Sequence, residues 1–502
     1  MTCTIVIAGK AAPLVLARPC EGMRFAVGGA LRRDFALYDC FDQPLRRSGR
    51  VLLRTGRDLV LLSDDSAPVS QKAEPGRGSL PAIAPGAVCD ALTGLSPLRA
   101  LMEHCAGRAE TISVAVLDDM EKTCLRMQVI TLSTRSGVAT LVLMEPMRGY
   151  DRAHQRVVDA LLDCEGASRG ATGLWPVLLP GVQPYQSKPE VPITADEPAH
   201  GVAADLIRSS MSVFRQNEAG IIDDVDTEFL HDYRIGLRRI RSVLSLFRDV
   251  FPPEETEELQ RAFSDLMAPT GRVRDLDVYL LGQSGFLALV PEALHPGLDL
   301  LFARMKTERD VAQRALARHL RSARYTARVA ALEARLTDPE GLAPGPESER
   351  AALPYAQALI WKRYRKVCKL ARRIDADTPD DDVHRLRIHC KKLRYLMEFF
   401  GPLFPKKKFR KILKPLKGLQ DNLGLFNDYS VQQMELGRYL HPDNDAPVAT
   451  DMAAAVGALL ATLSRLQAGE RTRVVASFAA FDNRAVRSVF EELFHQPEEA
   501  RR

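Results

Sequence analysis

Two segments of this chain share one pattern, a histidine followed by basic residues, and they lie 153 residues apart. The basic positions are His231, Arg234, Arg238, Arg239 and Arg241 in the first segment, and His384, Arg387, Lys391, Lys392 and Arg394 in the second. The offset continues downstream through Phe247 and Phe400, Pro252 and Pro405, and Gly271 and Gly424. A register held over so many positions indicates an internal duplication, so this region is predicted to fold as two copies of one unit.

Both segments have the periodicity of amphipathic helices. At about 100° per residue, most of the basic residues share one side of the helix, and leucines such as Leu237 and Leu393 fall on the opposite side. Arg239 falls off to the side. We call the shared rows the basic stripes, which consist of His231, Arg234, Arg238 and Arg241 in the first copy, and His384, Arg387, Lys391 and Arg394 in the second.

A single basic helix is most simply interpreted as a solvated face. Here the stripes have almost no acidic residues four positions away, so they do not resemble surfaces laced with salt bridges. Like charges in a row repel by roughly several tenths of a kcal/mol per neighbouring pair, a cost that a bound anion would offset. Arginine suits this role because its planar fork meets phosphate oxygens bidentately. The repeated stripes therefore predict a site for an anion with many negative charges.

Further basic residues follow the duplicated helices. Arg261 and Lys414 match at the same offset, whereas Lys417 corresponds to Ser264. These three cations are added to the candidate site. The lysine-rich run at residues 406–411 is either an outer surface that attracts the anion or a solubilising loop.

The rest of the chain predicts a multidomain protein. Residues 1–174 contain short β-branched runs and a terminal helix at 151–164, which indicate an α+β antiparallel domain. Residues 175–200 are rich in proline and predict a linker. Residues 201–495 predict an all-α domain of two pseudo-symmetric four-helix bundles, with halves at about 201–340 and 350–495.

Composition narrows the possible classes of protein. The net charge is +5, and all of the excess positive charge lies after residue 200, where there are 47 Lys and Arg residues and 42 Asp and Glu residues.

No apolar run reaches the roughly 18 to 20 residues that span a bilayer, so no membrane association is expected. The nine cysteines are irregularly spaced, which favours free thiols in a reducing cytoplasm. His231 and His384 lack a second ligand at metal-binding spacing, so neither a metal nor a cofactor is expected.

The duplicated helices, with the segments that contain Arg274-Asp275 and Asn427-Asp428, resemble the CHAD family, the conserved histidine α-helical domain. The resemblance covers about residues 200–490. It implies an all-helical fold of two four-helix bundles around a basic groove or pore. It also implies binding of inorganic polyphosphate and association with polyphosphate granules in the cytoplasm. The implied ligands are the ten basic residues of the two duplicated segments.

The N-terminal part resembles the CYTH or triphosphate-tunnel domain that often precedes CHAD. Residues 38–49 are similar to that family's Y-D-T-x4-L-x3-G segment, and Arg148-Gly149-Tyr150 to its late R-G-Y. The family's opening E-x-E-x-K carboxylates are absent, since residues 1–20 contain no Asp or Glu. Because those carboxylates hold the catalytic metal, we expect a degenerate, non-catalytic domain.

The sequence thus favours a non-enzymatic polyphosphate-binding protein. One alternative is a triphosphatase or polyphosphate hydrolase that uses the N-terminal domain. The other is a nucleic-acid-binding protein, although single-strand binding usually adds aromatic stacking, and only Tyr233 and Tyr395 accompany the stripes.

Overall fold

The computed structural model describes residues 3–17, 22–64, 66–76, 83–92, 94–338, 340–375, 378–441 and 448–495. The chain divides into two compact units, Met1–Gln186 and Ser187–Arg502. The first is built on a β-sheet and the second is helical. This arrangement confirms the predicted fold class, an antiparallel α+β domain followed by an all-α domain.

The first unit contains one nine-stranded sheet with the strand order β5-β4-β3-β2-β6-β7-β8-β1-β9, and all of its pairings are antiparallel. The strands are β1 (Cys3–Ala8), β2 (Arg24–Cys40), β3 (Arg50–Thr55), β4 (Asp58–Ser63), β5 (Val69–Lys72), β6 (Leu101–Leu117), β7 (Thr123–Ser133), β8 (Val138–Pro146) and β9 (Ala167–Arg169).

The strongest apolar runs of the sequence became β3, β4, β6, β7 and β8. The long strand β2 was missed because its first half is mostly exposed and lacks a buried alternating face. Gly28 and Gly29 also lie in this half, where the pairing with β6 shifts register between Val27 and Ala30. Residues 66–86 are rich in Ser, Pro and Gly, which is typical of a loop, yet they contain β5; residues 77–82 lie outside the described part of the chain.

Five helices accompany the sheet: α1 (Ala12–Ala17), α2 (Pro44–Arg47), α3 (Ala87–Ala91), α4 (Asp151–Leu162) and α5 (Leu174–Leu178). The predicted helix at 151–164 corresponds to α4. The predicted linker at 175–200 differs from the structure at its start. Trp175 is buried in α5 and packs in the sheet core with Leu37 and Leu132, so this segment stays with the first unit up to Gln186.

The second unit contains twelve helices within the described residues. They are α6 (Ala199–Ile222), α7 (Thr227–Leu246), α8 (Pro253–Met267), α9 (Gly271–Leu281), α10 (Gln283–Leu287), α11 (His295–Leu320), α12 (Ala323–Thr337), α13 (Ala352–Ala371), α14 (Asp380–Phe400), α15 (Lys406–Arg438), α16 (Thr450–Phe481) and α17 (Arg484–Phe494).

The duplication seen in the sequence reappears in the helix boundaries. Helices α13, α14 and α15 each begin 153 residues after α6, α7 and α8, respectively. One difference separates the halves. A 3-10 turn containing Pro269 divides α8 from α9, whereas α15 is continuous through the matching position, which is Asn422. Proline lacks the N–H that continues a helix, which accounts for the turn at Pro269, although α15 continues through Pro415.

The two halves meet along α7 and α14. The rings of Phe247 and Phe400 stack with centroids 4.9 Å apart and planes inclined by 20°. These two residues occupy equivalent positions of the duplication, so their contact lies near the axis that relates the halves. A separate core joins α9 and α11 of the first half to the end of α15 and the start of α16 in the second.

By length and composition alone, one helix of the described residues could cross a membrane, namely α16. The sequence prediction considered only uninterrupted apolar runs and did not find it. Its residues Ala455, Val456, Leu459 and Leu463 are buried in the core that α16 shares with α9 and α11. A core helix of a helical bundle passes the same test.

Candidate anion site on the two basic helices

Helix α7 is fixed at its start by a capping side chain. The Asp226 carboxylate accepts hydrogen bonds from the backbone N–H groups of Glu228 and Phe229, at 2.9 and 3.2 Å. This satisfies two of the four N–H groups that a helix leaves unpaired at its start. Leu237 and Ile240 are fully buried on the opposite side of the helix from the basic stripe. Cap and core together orient the first stripe.

Helix α14 is oriented in the same way. Its first turn carries Asp380, Asp381 and Asp382, whose negative charges stabilise the positive end of the helix dipole. Leu386 and Leu393 are fully buried on the face that packs into the second half. The second stripe is therefore turned away from its own bundle.

The two stripes approach each other where the halves meet. Burial and then the positive charges of Arg387, Arg238 and Arg394 together lower the pKa of Lys391 to about 8. Arg238 belongs to the other half of the duplication. Since α7 and α14 also meet through Phe247 and Phe400, the two stripes lie beside one site.

The first stripe contains one deep and two outer arginines. Arg234 is half-buried and donates a hydrogen bond to the Thr270 hydroxyl. Burial lowers the pKa of Arg234, and the nearby charge of Arg238 adds to the effect. Arg238 and Arg241 are exposed; the Arg241 guanidinium contacts the sulfur of Met267 at 3.2 Å. His231 is half-buried at the start of the row.

The second stripe begins with an exposed histidine. The Nδ1 atom of His384 lies 2.7 Å from the amide oxygen of Asn427. Because that oxygen can only accept, Nδ1 carries the proton, and Nε2 faces away from this bond. Nε2 is therefore the ring nitrogen that the contact with Asn427 does not use.

Arg387 and Arg394 are the deeper members of the second stripe. The Nε atom of each is buried and has no hydrogen-bond partner among the described residues. Their nearest carboxylates are distant for a hydrogen bond, Asp428 at 3.7 Å from Arg387 and Glu398 at 3.6 Å from Arg394. The sequence analysis expected almost no acidic residues four positions away from the stripe residues. This expectation is wrong for Arg394, because Glu398 lies four residues later, on the same side of the helix. Burial lowers the pKa of Arg387 despite the opposing charge of Asp428.

Two of the ten implied ligands lie away from the stripes. The Arg239 guanidinium lies over the ring of Phe399, 5.1 Å from its centroid, and burial lowers its pKa. The pKa of Lys392 is lowered by burial and then by Arg363 and Arg248, which belong to another cluster. Both residues follow a stripe residue directly in sequence, and a step of one residue turns a helical side chain by about 100°.

The three added cations, Arg261, Lys414 and Lys417, are exposed on α8 and α15. Arg261 Nε lies 3.4 Å from the backbone oxygen of Glu257, within its own helix. No hydrogen bond or ion pair joins these residues to the stripes in the part of the chain that the structure describes. The lysine-rich run at 406–411 forms the first turns of α15, so its interpretation as a loop is wrong. Lys408 in this run pairs with Glu492 of α17.

Two residues beside the stripes were missed by the sequence prediction. Arg274 of α9 lies close enough to Arg234 to lower its pKa, and Asn427 of α15 holds His384. These residues occupy matching positions of the duplication, since they are 153 residues apart. Both residues belong to the segments on which the resemblance to the CHAD family was based. Their matching positions in the two copies could have identified them as neighbours of the site.

In the first unit, the segment at 38–49 forms the end of β2 and the short helix α2. The buried carboxylate of Asp39 accepts hydrogen bonds from the backbone N–H groups of Cys40, Leu45 and Arg46 at 2.8 to 3.2 Å. Burial raises the pKa of Asp39 to about 6, and those hydrogen bonds oppose the rise. Asp39 thus holds the turn together.

No group of three His, Cys, Asp or Glu residues suited to a metal was found among the residues that the structure describes.

These paired helices, their shared offset and the two basic stripes define a duplicated all-helical domain. A family model described as the CHAD domain matches residues 205–437. The crystal structure of the CHAD domain from the plant Ricinus communis is 28% identical, with a TM-score of 0.50, and the match covers 61% of this chain and 99% of that chain. The helical unit is therefore a CHAD domain, of a family associated with polyphosphate binding.

A second solved structure, PptA from Streptomyces chartreusis, matches at 17% identity with a TM-score of 0.39, over 59% of this chain and 100% of that chain. A search of curated proteins found no match. The nine-stranded antiparallel sheet of the first unit is consistent with the predicted CYTH-like tunnel.

Proposed function

We propose that the helical unit binds inorganic polyphosphate between the two basic stripes, without catalysing a reaction, and that it associates with polyphosphate granules in the cytoplasm. The observation that carries this proposal is the contact between the two halves at Phe247 and Phe400, where the charge of Arg238 in one half acts on Lys391 in the other. Like charges on two packed helices repel each other unless a counter-charge is present. A linear chain of phosphates supplies many such charges in a row.

The available donors fit such a chain. Arg387 and Arg394 have no carboxylate closer than 3.6 Å among the described residues, and Arg238 and Arg241 are exposed. Guanidinium groups form short charge-assisted hydrogen bonds with phosphate oxygens and remain charged at any physiological pH. The deeper arginines would hold the chain, and the outer ones would attract it.

Competition tests the choice of ligand. Fluorescently labelled long-chain polyphosphate is bound to the full chain and followed by fluorescence anisotropy, with unlabelled polyphosphate or single-stranded DNA or RNA as the competitor. We expect unlabelled polyphosphate to displace the label at far lower phosphate concentrations than nucleic acid does. Displacement by nucleic acid at equal or lower phosphate concentrations would instead identify a nucleic-acid-binding protein.

The lowered pKa of Lys391 predicts a pH dependence of binding. A phosphate chain favours the charged ammonium, and the free protein loses this proton as pH rises through about 8. Affinity for polyphosphate should therefore be highest below pH 8 and fall by about tenfold between roughly pH 7 and 9, because one unit of pKa corresponds to a tenfold change. Anisotropy titrations across this range measure the fall.

The matched control is Lys391→Arg, which keeps the charge but does not titrate in this range. Its affinity should stay nearly constant over the same pH interval. An equal fall in both proteins would show that another group titrates and that Lys391 does not contact the ligand.

A further inference from the structure

The second half of the helical unit contains a cavity of about 1790 Å³ on a side of α14 other than the stripe. It lies against α13, α14 and α17, and we call it the α13 cavity. Its wall is strongly basic, with Arg248, Lys362, Arg363, Lys366, Lys369 and Arg373 among its residues. None of these six has a carboxylate within ion-pair distance in the described part of the chain.

The other charges at the α13 cavity are largely compensated. Glu347, one of two lining carboxylates, pairs with Arg350 at 2.8 Å. Arg372 and Arg487 both pair with the buried Asp482, at 2.9 and 2.7 Å. The second lining carboxylate is Glu491. The unpaired cations therefore leave the cavity with a clear excess of positive charge.

One pair of equivalent positions shows that α13 and α14 are spaced differently from α6 and α7 at the α13 cavity. In the first half, Gly236 lies so close to α6 that an added Cβ would come within 2.8 Å of the Ser210 backbone oxygen. The equivalent positions in the second half are His389 and Arg363, whose side chains meet with 2.7 Å between Nδ1 and Nη1. The side chains of His389 and Arg363 are larger than those of Gly236 and Ser210. They therefore hold α13 and α14 farther apart than α6 and α7 need to be at the equivalent position.

The basic wall is likewise absent from the first half. Helix α6 carries uncharged residues, Ser209, Val213 and Gln216, at the positions where α13 carries Lys362, Lys366 and Lys369. The basic residues of the α13 cavity are therefore not part of the pattern that the two halves share, whereas the stripes are.

The charges around His389 are crowded. Burial and then the charges of Arg363, Lys366 and Lys392 together lower the pKa of His389 to about 4. The ring is thus neutral near pH 7, and its Nδ1 accepts the hydrogen bond from Arg363. Burial and the charge of Arg248 also lower the pKa of Arg363. A bound anion would relieve this repulsion.

We propose that the α13 cavity is a second anion site, separate from the stripes, which binds a short chain of linked phosphates. The basic wall extends along two turns of α13 from Lys362 to Lys369, which suits several phosphates in a row rather than one. The chain could be free tripolyphosphate or the triphosphate of a nucleotide, whose base would meet Trp361 on the same wall. The site does not depend on binding at the stripes.

Tryptophan fluorescence can report on the α13 cavity directly. The chain has two tryptophans; Trp361 lines the cavity, and Trp175 is buried in the sheet core of the first unit. Titration of the full chain with tripolyphosphate should change the emission of Trp361 in a saturable way. The change should disappear in Trp361→Phe, while calorimetry of that variant still detects tripolyphosphate binding.

Two charge-reversed variants separate the sites. Lys366→Glu with Lys369→Glu, both at exposed positions, should weaken the fluorescence response to tripolyphosphate at least tenfold. Arg238→Glu with Lys391→Glu, in the stripes, should leave that response unchanged and weaken the binding of long-chain polyphosphate. Unchanged circular dichroism and thermal unfolding show that both variants are folded.

The outcomes distinguish the two proposals. If the stripe variant also abolishes the fluorescence response, or the cavity variant leaves it intact, the α13 cavity is not an anion site. If the cavity variant loses the response while the stripe variant still binds long-chain polyphosphate normally, the cavity proposal stands and the proposed stripe function fails. If ATP and tripolyphosphate change the Trp361 fluorescence at equal concentrations, the cavity binds only the phosphates. If ATP acts at a lower concentration, the cavity also binds the base. A response to single-stranded DNA but not to tripolyphosphate would overturn the assignment.

Discussion

Replacing Arg238 and Lys391 together by glutamate should weaken the binding of long-chain polyphosphate by roughly a hundredfold. The two residues come from different halves of the duplication, and they lie within electrostatic range of each other. Each loses a charge-assisted hydrogen bond of about 1.5 kcal/mol, and the two losses together correspond to about two orders of magnitude in affinity. Anisotropy with labelled polyphosphate measures the change at constant salt and pH.

A control with the same change in net charge is available. Lys306→Glu with Arg324→Glu alters two exposed cations on α11 and α12, away from both stripes in sequence. This control should change affinity by only a few-fold, through the long-range field alone. If the control loses as much affinity as the stripe variant, polyphosphate is held by overall charge and not by a site between α7 and α14.

Affinity should also fall steeply as salt rises. A chain of phosphates that is neutralised by protein cations releases counterions, so the logarithm of the affinity decreases linearly with the logarithm of salt concentration. For a flexible single-stranded polyanion the slope is about 0.7 per phosphate contact. Titrations from roughly 50 to 200 mM salt therefore estimate how many phosphates the protein neutralises.

The same salt titration on the variant with Arg238→Glu and Lys391→Glu tests whether these two residues contact phosphate. With two contacts removed, the slope for the Arg238→Glu, Lys391→Glu protein should be smaller by at least about 1. A slope near zero in the unchanged protein would contradict ion pairing as the source of binding. An unchanged slope in the variant would show that these two residues do not contact phosphate.

Much of the helical unit could be predicted from periodicity and repetition. The offset between His231 and His384 anticipated the boundaries of the paired helices, and the stripe positions of Arg238 and Arg387 follow from the helical period. The sequence was less informative in the first unit, where β2 has few buried residues in its first half, so no alternation identified it. The run at Lys406 was ambiguous because a lysine-rich segment suits both a loop and a solvated helical turn.

Helical periodicity alone determined which side of its helix each basic residue occupies, because the rotation per residue is a local property of the backbone. Only the tertiary structure decided what that side faces. It brought Lys391 within electrostatic range of Arg238, put Arg239 over Phe399, and placed Lys392 within range of Arg363 and Arg248. It also revealed the α13 cavity, because the distance between two helices depends on the residues packed between them, here Gly236 in one half and His389 in the other.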